Sequence, residues 1–130
     1  GVFFDGQIFD AHKFISDIIR SAEKSIILID NYVDDTVLTL FSKRKQGVVL
    51  KILTKNRSKQ LQLDMQKFNE QFPPAEIKEF SYSHDRFMII DGKDLYLFGA
   101  SLKDLGKKWF GFARMDIGAA EIIAKLGDLK

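Results

Sequence analysis

Within residues 9–20, Phe14, Ile15, Ile18 and Ile19 recur at the spacing of one helix face, which predicts an opening amphipathic helix. Residues 25–30 (Ser25, Ile26, Ile27, Leu28, Ile29, Asp30) form a short, continuous, β-branched run, the pattern of a strand buried on both faces. Asp34 or Asp35 can cap a second helix running to about Arg44. Gly47 stops it, and residues 48–54 form a second buried strand, completing a βαβ unit. Ser58 can cap a third helix with Leu61, Met65, Phe68 and Phe72 as its apolar stripe, ended by Pro73 and Pro74. A strand over 76–82 follows. Strands at 86–90 and 95–98 then flank Asp91-Gly92-Lys93-Asp94, which reads as a tight hairpin loop, and 109–115 reads as one more strand before a closing helix over 119–126. The pattern predicts an α/β fold, a mixed β-sheet sandwiched between helices, as one domain across residues 1–130 without linkers or repeats.

Composition narrows the class. The 130 residues are 45% hydrophobic and 29% charged, a globular balance that excludes a disordered tail, a coiled coil or a collagenous chain. With Cys 0, disulfides, thiolate catalysis and cysteine zinc sites are all excluded, and a reducing compartment is suggested. No apolar stretch approaches the roughly 20 residues of a membrane span, and no signal-peptide profile opens the chain, so a cytoplasmic protein without a membrane partner is expected. The first residue is Gly1 rather than Met, which fits a piece of a longer protein.

The formal net charge of +2 hides an uneven distribution. Acidic groups dominate residues 1–35, whereas Lys43, Arg44, Lys45, Lys51, Lys55, Arg57 and Lys59 occupy a window without any acid. A second basic group, Lys103, Lys107, Lys108 and Arg114, surrounds Trp109 and Phe110. Such clusters suit a phosphate-rich partner, because each neutralised phosphate releases counterions; they equally suit solvated helix ends and sheet edges.

Candidate chemistry gathers around the hairpin. Alternation along the strand ending at Ile90 puts His84 and Arg86 on one face. A two-residue turn sets His84 opposite Gly99, and a four-residue loop sets it opposite Ser101. In either register an imidazole, a guanidinium, a close-approach glycine and a hydroxyl converge, a set able to bind and attack a phosphodiester. Asp91, about 20 Å along an extended strand from His84, is expected to support the turn. Asp30, Asn31 and Tyr32 follow a buried strand at the end where α/β sheets often hold ligands, although an Asn there also commonly makes the turn.

The segment His84-Asp85-Arg86, four residues, Asp91, seven residues, Gly99-Ala100-Ser101 resembles the signature of the phospholipase D superfamily (the HKD motif): His-x-Lys, four residues, Asp, six residues, Gly-Ser-x-Asn. The upstream helix and residues 25–32 are similar to the opening of that phospholipase-D-like fold. More narrowly, residues 99–110 resemble the C-terminal regions of bacterial proteins that carry a phage-antirepressor-type, KilA-N-like DNA-binding domain upstream. The superfamily resemblance implies metal-independent phosphodiester hydrolysis without a cofactor, in which one histidine becomes a phosphohistidine and another protonates the leaving oxygen. Carried over by position, His84 is the nucleophile, Arg86 stands for the phosphate-binding lysine, Ser101 donates a hydroxyl, and Asp91 and Gly99 are structural members of the motif. The sequence departs from that pattern in three ways. Arg86 substitutes a planar fork for an ammonium, one extra residue precedes Gly99, and the asparagine position falls on Leu102 or Lys103. Asp116 lies near a further acidic position of the family. His12, the other histidine, has no His-x-Lys context, so a two-histidine site implies a homodimer.

Two function classes remain. One is a nuclease-like phosphodiesterase on nucleic acid, with Lys103, Lys107, Lys108, Asn31 and Tyr32 as candidate substrate contacts. The other is a catalytically silent module that binds DNA phosphates or dimerises a regulator. Arg86 and Ser101 also have plain structural readings, as a strand salt bridge and a helix N-cap. Trp109, Phe110 and Phe112 read first as core and rim aromatics and second as base-stacking platforms. Asp64 followed by Glu76-Ile77-Lys78 has the loose order of a metal-dependent nuclease, but alternation explains that triplet as the wet face of an edge strand.

Overall fold

The computed structural model describes residues 1–115 and 118–127; Asp116 lies outside them. Seven strands form one mixed sheet: β1 (Val2–Phe3), β2 (Ser25–Ile29), β3 (Val49–Thr54), β4 (Ala75–Glu79), β5 (Arg86–Ile90), β6 (Asp94–Phe98) and β7 (Phe110–Met115), in the order β1-β7-β6-β5-β2-β3-β4. β2, β3 and β4 run parallel, and β5 pairs antiparallel with β2 to open an antiparallel half. The parallel half follows from the βαβ pattern, because α1 (Ile8–Ser21), α2 (Asp35–Phe41) and α3 (Lys59–Gln71) alternate with the strands and cover one face. Among the described helices, α4 (Ala119–Leu126) alone covers the opposite face.

The continuous apolar run of β2 is explained by this two-sided burial: Ile26 and Leu28 join the three-helix core, whereas Ile27 and Ile29 pack under α4. Each large side chain in such a core is worth about 2–5 kcal/mol against truncation to Ala. Asp34 caps α2 by accepting from the Thr36 and Val37 amides, and Ser58 caps α3 by accepting from Leu61 at 3.1 Å. Past Phe41 single turns continue to Arg44, whose N–H donates to Phe41 O at 3.2 Å.

Three expectations are corrected. The strand expected over 76–82 ends at Glu79, leaving Tyr82 outside the sheet and 88% exposed. Arg44, placed by sequence in a basic window, is buried, donating to the carbonyls of Val48, Pro73 and Pro74; burial lowers its guanidinium below its ordinary value, and it is unavailable to phosphate. The β5–β6 loop has three residues, not two or four, since Ile90 pairs with Asp94 and Lys93 N–H donates to Ile90 O at 3.1 Å. Asp91 and Gly92 both take positive φ there, 56° and 72°. Glu76 and Lys78 do lie on the edge strand β4, paired with each other at 4.0 Å.

Candidate phosphodiester site

At the carboxyl end of β2 the chain turns at Asp30, which is fully buried. Its carboxylate accepts the Ser101 hydroxyl at 2.9 and 3.0 Å, the Leu102 amide at 2.9 Å and the Tyr32 amide at 3.0 Å. A buried carboxylate is tolerated only with such a set of donors, so Asp30 fixes the β2 end to the segment after β6. Ser101 in turn caps the short 3-10 turn Leu102–Asp104. The expected hydroxyl donor therefore serves the scaffold: Ser101 is 1% exposed, and its proton goes to Asp30 rather than outward.

Asn31 is not an open ligand group either. Its amide donates to Ser83 O at 2.9 Å, tying the β2 end to the residue before His84, while its Oδ1 is buried without a partner among the described residues. Ser83 Oγ donates to Asp85 O at 2.9 Å, which bends the chain at His84 and Asp85. The bend corrects the alternation argument. His84 lies before β5 rather than on it, and the ladder ends at Arg86↔Phe98, so His84 has no strand partner in Gly99 or Ser101. His84 is exposed and Arg86 half-buried, on the face shared with Met88 and Ile90. Among the described residues neither side chain makes a hydrogen bond or an ion pair.

Gly99 makes its close approach to protein. Its N–H donates to Gly111 O at 2.8 Å, and a Cβ would stand 3.4 Å from that oxygen. Asp91, at the far end of β5, accepts from the amides of Glu23, Lys24 and Ser25 at 2.6–3.1 Å. Burial alone would raise its carboxyl, but these backbone donors, with Lys93, outweigh burial and hold it below the usual carboxylate range.

The second basic group is largely paired internally. Lys103 Nζ donates to Asp104 at 2.9 Å; that bond raises the ammonium above its ordinary value against a desolvation cost, with further help from Asp104, Asp34 and Asp30. Asp104 is lowered reciprocally, chiefly by the Lys103 bond, and also meets Lys107 at 3.7 Å. Arg114 pairs with Asp94 at 2.9 Å. Lys108 is exposed and lines a groove with Trp109, whose indole N–H donates to Asp5 at 3.1 Å and whose ring meets Phe4 edge-on. Tyr32 is 48% exposed. His12 lies on α1 in a separate groove with Lys13, Arg20 and Lys43. No group of three or more His, Asp or Glu side chains among the described residues could hold a metal ion, and no described helix is long and apolar enough to cross a membrane.

Two features escaped the sequence reading: the role of Asp30, placed at a ligand-binding strand end, as an internal hydrogen-bond hub, and the exposure of Tyr82. An acidic residue ending a strand buried on both faces was the available signal for the first; Tyr82 gave none, because it was assigned to a strand.

This layered α/β architecture recurs in solved structures. NucT from Helicobacter pylori superposes with a TM-score of 0.65 at 15% identity, over 96% of this chain and 89% of that one. TrmBL2, an archaeal chromatin protein with a novel mode of DNA binding, superposes with a TM-score of 0.60 at 16% identity, over 98% of this chain and 50% of that one. At such identities the likeness establishes the fold. No protein-family model and no curated protein matches the sequence.

Proposed function

We propose that the chain is a phospholipase-D-like domain that binds a nucleic-acid phosphodiester at the start of β5 and cleaves it through His84. The observation that carries this reading is the pair His84 and Arg86 at the start of β5, neither of which makes a hydrogen bond or ion pair among the described residues, whereas Lys103, Lys107 and Arg114 are paired to carboxylates. A guanidinium without a partner among the described residues offers a fork to two phosphate oxygens, and an exposed imidazole two residues away can reach phosphorus. His84 nitrogen attacks phosphorus as the bond to the leaving oxygen breaks; the equivalent histidine of a second copy gives that oxygen its proton, and water then hydrolyses the phosphohistidine. The active form is accordingly a homodimer. The DNA binding of TrmBL2 supports nucleic acid as the partner. On the narrower resemblance, the domain serves a longer bacterial DNA-binding regulator.

Cleavage of single-stranded and duplex DNA in excess EDTA, with His84→Ala alongside, tests the reading. Turnover that survives chelation and vanishes in the variant supports it; turnover abolished by EDTA refutes it. DNA binding with no turnover by either protein establishes the second reading, a silent binding module, which the commitment of Ser101 to Asp30 favours.

A further inference from the structure

Resting on the phosphodiester reading, we infer that the groove between α4 and the segment leading to His84 is a nucleobase subsite, which makes the ligand a single-stranded nucleic acid. The groove encloses about 470 Å³. Ile29 and Phe87, direct cross-strand neighbours, contribute to its lining, together with Ile122 and Leu126 of α4 and the rings of Phe80 and Tyr82. Ser83 also borders it, so the groove reaches within one peptide bond of His84, while Arg86 lies round the start of β5 on the three-helix face of the sheet. Tyr82 and His84 are two residues apart, at most about 7 Å along the chain.

The segment is held rather than loose. Phe80 N–H donates to Thr54 O at 2.9 Å, and Ser83 O accepts from Asn31 at 2.9 Å, so Tyr82 stands between two anchored residues. Phe80 meets the Tyr82 ring edge-on at 5.5 Å, while Tyr82 is 88% exposed. A large aromatic ring supported by a neighbour and otherwise open is a stacking platform. Glu121 and Lys125, an acceptor and a donor, also line it. A planar, apolar-faced ligand with donors and acceptors on its edge matches this mixture; an acyl chain uses none of it. Bases inside a duplex are already stacked, so only an unpaired base can enter.

The test measures affinities of the wild-type chain, Tyr82→Ala and Tyr82→Phe for three fluorescent probes of equal length: an oligothymidylate, an abasic strand and a duplex. Stacking of one base predicts that the oligothymidylate binds wild type roughly tenfold more tightly than the abasic strand. Tyr82→Ala should abolish that preference while leaving abasic and duplex affinity unchanged, and Tyr82→Phe should preserve it. Equal affinity of wild type for base-bearing and abasic strands overturns the subsite while the phosphodiester reading stands; failure to bind any probe overturns both. A Tyr82→Ala chain with unchanged probe affinity but altered sedimentation identifies the groove as an interface between copies and overturns the subsite.

Discussion

The two ends of β5 are built on opposite terms. At one end Asp91 spends both carboxylate oxygens on the amides of Glu23, Lys24 and Ser25, and its own N–H donates to Ser25 O at 2.8 Å. That end is closed, joining the α1–β2 connection to the β5–β6 hairpin. At the other end the chain is anchored through Asn31 and Ser83, yet His84 and Arg86 make no hydrogen bond or ion pair among the described residues. One eight-residue stretch of sequence therefore divides into a fastening and an opening. Proximity in sequence says little about shared duty when a strand carries the members to opposite ends.

The sharpest way to break this contrast is to truncate each end. His84→Ala should lower EDTA-resistant turnover of a chromogenic phosphodiester by at least about a thousandfold, the scale on which a lost nucleophile acts. Its thermal melting point should stay within error of wild type, because the exposed imidazole holds nothing in place. A destabilised His84→Ala chain would place structural duty at the open end and remove the distinction.

Asp30 sharpens the comparison from inside the sheet. Its replacement by Ala strands the buried Ser101 hydroxyl and the Leu102 amide, and should cost about 3 kcal/mol in urea unfolding. Asp30→Asn retains an acceptor and should cost less. Equal losses would mean that charge, rather than the count of accepted hydrogen bonds, is what the site requires.

Asp91→Asn should cost less again, about 1–2 kcal/mol at neutral pH, since Asn tolerates the positive φ and can still accept hydrogen bonds. The pH dependence has a definite sign. The folded-state pKa of Asp91 is depressed, so its contribution is fully present above the ordinary carboxylate value near 4 and is lost as pH falls through the folded value. The gap between wild type and Asp91→Asn in urea unfolding should narrow below about pH 4. A gap that stays constant down to pH 2 would remove the carboxylate from the account.

Much of the architecture was legible because the apolar patterns are local: α1 through the Phe14, Ile15, Ile18 and Ile19 stripe, β2 through its unbroken run, α3 through Ser58 and Pro73. The structural duty of Asp91 followed from strand length alone. What could not be read were arrangements decided by distant partners. The hairpin loop took three residues while Asp91 was fastened to residues 23–25, a contact across more than sixty positions. Ser101 looked like a phosphate ligand because its partner, Asp30, lies 71 residues upstream. Arg44 counted as surface charge until Pro73 and Pro74, about thirty residues on, supplied its acceptors. Lys103 and Lys107 likewise counted as free cations, although Asp104 stood between them in plain sight; the i,i+3 geometry of the turn brings Lys107 back to it.

That last point yields the smallest expected effect. Arg86 has no partner among the described residues, so Arg86→Ala should weaken binding to every oligonucleotide probe and reduce the slope of log affinity against log salt by about one. Lys107 is 69% exposed at its side chain but shares Asp104 with Lys103, so its charge is already partly compensated within the protein. Lys107→Ala should change affinity by less than about twofold and leave the salt slope nearly unaltered. Asp104→Asn releases both lysines, and if pairing is what silences them, this variant should bind more tightly than wild type and steepen the slope. Should Lys107→Ala instead match Arg86→Ala, the opening at the start of β5 extends across the second basic group, and the division between paired and available cations fails.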